Sequence, residues 1–141
     1  MDPHVNQTLP TFLNPPGLYD PVPNGYSHIA LPPTGARLVY IAGQGGEDAD
    51  GRLADGFRAQ VRQAIENLRV AIRATGGDLD HVVKQTVLIV DHTEAHLQTL
   101  GEEFTRAYGA GAKPACTLIP VPRLALDGML FEIEAVVCIR S

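Results

Sequence analysis

The chain has 141 residues, 45% of them hydrophobic and 19% charged, an ordinary composition for one soluble globular domain. A formal net charge of −5 argues against a nucleic-acid surface, and no apolar run reaches the length of a membrane span. Two cysteines, Cys116 and Cys138, are too few for a disulfide framework, and no basic-then-apolar leader is visible, so a reduced, cytoplasmic setting is expected.

Residues 1–35 hold eight of the eleven prolines, and no periodicity appears before Tyr26. Residues 1–20 are therefore expected to be an extended or disordered N-terminal extension, and residues 21–141 a single domain. Asn6-Gln7-Thr8 spells a glycosylation acceptor, which without a secretory signal is read as chance. Tyr26–Leu31 reads as a short strand, Pro32-Pro33-Thr34-Gly35 as a turn, and Arg37–Gly43 as a better strand. In the polar loop that follows, Asp48, Asp50 and Gly51 lack the ligand spacing and closing glutamate of a calcium loop. They read as a solvated turn.

Gly56–Thr75 carries one apolar stripe, from Phe57 and Val61 through Ala64, Ile65 and Leu68 to Ile72, which predicts a helix. Asp55 is its expected N-cap, Gly76-Gly77 its left-handed stop, and Arg58, Arg62, Arg69 and Arg73 a solvated row. Val82–Val90 reads as a strand, apolar on both faces at its end. Asp91 or Thr93 then caps a second helix running to Tyr108 on Leu97, Leu100, Phe104 and Ala107. Two further strands are predicted, Ala115–Val121 and Met129–Ile139, joined by a segment that ends in the turn pair Asp127-Gly128. The last alternates strictly: Met129, Phe131, Ile133 and Ala135 on one face; Leu130, Glu132, Glu134 and Val136 on the other. Two helices cover one face of such a sheet, so the apolar residues left on the other imply a second subunit, most simply in a closed ring.

Five short segments, in order, carry a resemblance: Gly25-Tyr26-Ser27, Ala42-Gly43-Gln44, Val83-Lys84-Gln85-Thr86-Val87, Pro114-Ala115 and Phe131-Glu132-Ile133-Glu134-Ala135. Over roughly Gly25–Arg140 the chain resembles the Rid (YjgF, or endoribonuclease L-PSP) family. The resemblance implies an α+β, chorismate-mutase-like (YjgF-type) mixed sheet with two helices on one face, assembled as a homotrimer with clefts between subunits. It also implies a cofactor-free hydrolase that converts reactive 2-imino acids and enamines to 2-keto acids and ammonia. In such members an Arg after Pro-Ala holds the substrate carboxylate and the Glu at the position of Glu132 orients the attacking water. The Tyr at Tyr26 and the backbone at Gly43 complete the pocket.

The chain departs from that pattern at the carboxylate-binding Arg, which is Cys116 here, at a Gln that is His28, and at an Asn that is Gly101. Losing a desolvated Arg–carboxylate contact costs several kcal/mol of binding, so activity on simple 2-imino acids is expected to be weak or absent. Arg123, seven residues on, is a candidate substitute cation. Cys116 is either a nucleophile with His28 as its base or a small buried hydrophobe filling the space of the Arg. His28 is either a general base or a polar strand residue facing water. His92 and His96, at i and i+4 on one helix face, have no third ligand nearby, and Gly43-Gln44-Gly45-Gly46 lacks the lysine of a phosphate loop. Neither metal nor cofactor is therefore expected. The candidate catalytic residue is Glu132, and the candidate substrate-binding residues are Tyr26, His28, Gly43 and Cys116. The partners expected are a small molecule and identical subunits, not nucleic acid or membrane. A non-catalytic small-molecule-binding trimer of the same fold is the alternative, and a ribonuclease a third.

Overall fold

The computed structural model describes residues 9–140, so the expectations for residues 1–8, the glycosylation triplet included, lie outside the described residues. Six strands and two helices follow in the order β1 (Thr11–Leu13), β2 (Ile29–Leu31), β3 (Arg37–Gly45), α1 (Phe57–Arg73), β4 (Val82–Val90), α2 (Glu94–Tyr108), β5 (Ala115–Val121) and β6 (Phe131–Ile139). β3, β6, β4 and β5 form one mixed sheet in that spatial order, with β4 and β5 parallel and the other pairs antiparallel. The last two strands are thus not neighbours: β4 lies between them.

The strand expected over Tyr26–Leu31 divides into two parts. Ile29–Leu31 pairs with β1 in a separate two-stranded sheet, while Ser27 bridges Ala115. The Ser27 amide donates to the Pro114 carbonyl (3.1 Å) and its hydroxyl to the Lys113 carbonyl (2.6 Å), fixing the start of β5 against the end of the N-terminal arm.

The stripe on α1 does what its spacing predicts: Val61, Ala64, Leu68 and Ile72 are fully buried against the sheet, with Phe131, Ile133, Ala135 and Val137 of β6 beneath. Its N-terminus differs from the expectation. The cap position is Gly56, at φ +91° and with no side-chain hydrogen bond, so the Asp55 carboxylate stands one residue too early to reach the helix amides. The C-terminus closes as expected, Gly76 at φ +93° and the Gly77 amide donating to the Ile72 carbonyl (3.3 Å). On α2, Thr93 is the cap, its hydroxyl accepting from the His96 amide (3.2 Å). His92 precedes the helix, so it does not share a helix face with His96, whose ring stacks on Phe57 at 4.1 Å instead.

The arginine row is not merely solvated. Arg58 and Arg62 reach across to α2 and hold Glu103, at 2.8 and 2.9 Å, in a position where its side chain is only 3% exposed. Burial alone raises the Glu103 pKa, but the hydrogen bonds from Arg62 and Arg58 outweigh it and leave the carboxyl below its ordinary range. Arg73 and Arg69 serve Asp78 just beyond α1.

Candidate active site

Strand alternation sends the candidate residues to opposite faces of the sheet. Glu132 stands opposite Leu88 of β4, whereas Cys116 stands opposite Gln85, which is itself opposite Ala135. Ala135 is three residues from Glu132 and buried under the helices, so Cys116 faces the helices and Glu132 the uncovered side.

On the uncovered side, the register between β3 and β6 shifts between Ile41 and Gln44. This bulge lays Gly43 against Glu132 so closely that a Cβ at Gly43 would fall on the Glu132 carboxylate. Among the described residues the Glu132 carboxylate has no hydrogen-bond or ion-pair partner. The following loop is tied down by amide side chains of α1. Asn67 donates to the carbonyls of Gly45 (2.9 Å) and Glu47 (2.7 Å). Buried Gln60 donates to those of Ala54 (3.2 Å) and Gly128 (3.0 Å) while accepting from the Leu130 amide (2.8 Å). Asp48 accepts from the amides of Asp50 and Arg52, the polar turn that its sequence predicts.

On the helix side, a cavity of about 220 Å³ lies between the N-terminal arm, α2 and β5. Tyr19, Tyr26, Leu100, Gly101, Phe104 and Cys116 are among the ten described residues that line it, and none of these ten carries a charge. Burial pushes the Cys116 thiol up to about 11, against the opposing influence of the neighbouring Gln85 carboxamide and, more weakly, Lys84. At neutral pH it is a thiol, not a thiolate. Gln85 is fully buried and accepts from the Tyr108 hydroxyl at 2.6 Å, a link between β4 and α2 that sequence reasoning missed.

His28 stands behind this cavity. Its ring meets the edges of Tyr19 (5.1 Å between centroids) and Tyr26 (5.6 Å), its Nε2 lies 2.8 Å from the Tyr19 carbonyl, and its amide donates to the Asn14 side chain. The ring is thus spent on positioning the arm rather than on Cys116. Arg123 is engaged by its own loop, with Asp127 at 3.0 Å and the Leu124 carbonyl at 3.1 Å, and does not line the cavity. Tyr26 and Cys116 therefore come together, as do Glu132 and Gly43, but the two pairs do not meet within one chain.

Comparison with known proteins agrees with this architecture. Residues 20–139 match the family model described as endoribonuclease L-PSP. A mouse protein named 2-iminobutanoate/2-iminopropanoate deaminase is 36% identical over 102 residues, 71% of this chain and 73% of its own length. The human protein of the same name is 34% identical over 104 residues, covering 71% and 72%. Among solved structures, a Yersinia pestis protein of the conserved Rid family, YyfB, superimposes with a TM-score of 0.86 at 32% identity, covering 92% of this chain and 98% of that one. RidA from the Antarctic bacterium Psychrobacter gives 0.67 at 31%, covering 94% and 98%. The chain belongs to the Rid family, also named endoribonuclease L-PSP, and has its α+β fold of two helices on a mixed sheet.

Proposed function

We propose that this chain is a cofactor-free hydrolase of a small reactive imine or enamine, acting in clefts between copies of itself in a homotrimer. The observation that carries the proposal is Glu132, a half-buried carboxylate seated over Gly43, without a partner among the described residues, on the sheet face no helix covers. The names of the mouse and human relatives supply the reaction class. In this reading Glu132 accepts a proton from water as the water oxygen bonds to the C=N carbon. That proton goes to nitrogen to give a carbinolamine. The carbinolamine hydroxyl then passes its proton through Glu132 to the same nitrogen, the C=O bond forms as the C–N bond breaks, and a carbonyl compound and ammonia leave. An enamine first gains a proton on carbon and loses one from nitrogen, which gives the imine. Tyr26 and Cys116, together with a neighbour's Glu132 and Gly43, shape the cleft, and His28 keeps Tyr26 in place.

Ammonia release from imines generated in situ tests this. Glu132→Gln is expected to lower kcat by on the order of a hundredfold or more with an unchanged fold, and freshly made 2-iminopropanoate is expected to be a poor substrate. A variant as active as the parent ends the proposal. The loss of the family arginine at Cys116 favours a second reading, a trimer that binds a small molecule without chemistry. In that case no imine is turned over and Glu132→Gln keeps its ligand.

A further inference from the structure

We propose that the helix-side cavity takes an uncharged aromatic group of the substrate, and that Tyr19, supplied by the N-terminal arm, determines this specificity. The inference rests on the hydrolase reading for the chemistry, but its binding part stands on the cavity alone. A carboxylate entering here would leave water for a wall with no cation among the described residues and a neutral, half-buried thiol, a burial that is costly without a partner. An apolar ring meets the opposite situation. Leu97, Leu100 and Leu118 supply aliphatic wall, and Phe104, Tyr26 and Tyr19 supply ring surface. Tyr19 and Tyr26 stand 6.4 Å apart at 66°, the edge-on arrangement in which a third ring adds favourably.

Beside its ring contacts with Tyr26 and His28, Tyr19 is held for this role through its backbone. The His28 ring holds its carbonyl, Asn14 holds the His28 amide, and β1 pairs with β2 on either side. Tyr19 as a residue is 61% exposed and lines the cavity, and its ring meets those of Tyr26 and His28 edge-on, which leaves room for a ligand against it. Gly101 leaves the opposite wall empty: a Cβ there meets nothing within 4 Å.

The test uses two stable carbonyl compounds as product-like probes on the full chain, acetophenone with a ring and no charge, and pyruvate with a carboxylate and no ring. Calorimetric titration is expected to show acetophenone binding at least about tenfold more tightly than pyruvate. Tyr19→Ala should weaken acetophenone binding roughly three- to tenfold, Tyr19→Phe should restore it, and Gly101→Leu should block it, none of them lowering Tm. With imines of the same two skeletons, Tyr19→Ala should raise KM for the phenyl compound and leave kcat alone. Pyruvate binding more tightly, or acetophenone affinity indifferent to both Tyr19→Ala and Gly101→Leu, overturns the inference. Acetophenone binding that follows the variants with no imine turned over defeats the hydrolase reading and leaves this one standing. Turnover that favours the carboxylate substrate does the reverse.

Discussion

Position 116 lines the helix-side cavity, and in the proposed reading its side chain sets which ligands that cavity admits. A thiol raised from 9.0 to about 11 by burial is a poor nucleophile at neutral pH, so alkylation of Cys116 by iodoacetamide, followed by peptide mass, should be slow at pH 7 and accelerate only toward pH 11. The linkage has a definite sign. The unfolded thiol ionises near 9.0 and the folded one near 11, so the stability contributed by the neutral thiol is complete below pH 9 and is lost as pH rises from 9 to 11. Rapid modification at pH 7 would contradict the burial argument. Cys116→Arg places a cation in a wall that has none among the described residues, and the affinity for pyruvate should rise on the order of tenfold. Unchanged affinity would remove position 116 from the ligand's surroundings. Cys116 and Tyr26 were legible as partners through Pro114-Ala115 and Tyr26-Ser27, short segments whose order outweighs their individual weakness. Tyr19 was not, because it lies in a proline-rich stretch without periodicity and is placed by a histidine nine residues away.

The two helices illustrate which polar residues a periodicity hides. The apolar stripe of α1 was readable because burial requires that spacing. Gln60 sits on the same buried face, and nothing in a hydrophobic pattern marks it as the residue that joins two loops. Glu103 was hidden likewise: a helix carboxylate reads as solvent-facing unless its partners are known, and Arg58 and Arg62 lie on another helix. Because those arginines are about half exposed, Glu103→Gln should cost only about 1–2 kcal/mol at pH 7, measured by urea unfolding. Its folded pKa is depressed below 4.5, so the stabilisation is complete above pH 4.5 and is lost as pH falls through the folded value. The difference between parent and variant should therefore shrink in acid, and a difference independent of pH would assign the effect to packing. α2 carries a glycine at mid-helix with open space beside it, so Gly101→Ala should stabilise the fold by roughly 0.5–1 kcal/mol.

At the scale of the whole molecule, the face that α1 and α2 leave bare presents Leu38, Tyr40 and Ile119, each more than a third exposed, around Val136 and Leu88. The count of helices against apolar strand faces was enough to expect this surface. The spatial order of the strands was not readable, since parallel pairing of β4 with β5 depends on where α2 returns the chain rather than on any local signal. The same face carries Glu132, and the cavity carrying Cys116 lies on the other side of the sheet, so catalysis and association are coupled in the proposed trimer. Val136 is the place to separate them. It stands opposite both Tyr40 and Lys84, close to the middle of the bare face, and Val136→Arg sets a second cation beside Lys84 at any contact between copies. Sedimentation should give a trimer for the parent at micromolar concentration and a folded monomer for the variant. Turnover should disappear with the trimer, although Glu132, Gly43, Tyr26 and Cys116 are all untouched. A monomer that still hydrolyses imines at the parental rate would mean that one chain holds a complete site, and the division of residues between the two sheet faces would then have no bearing on the reaction.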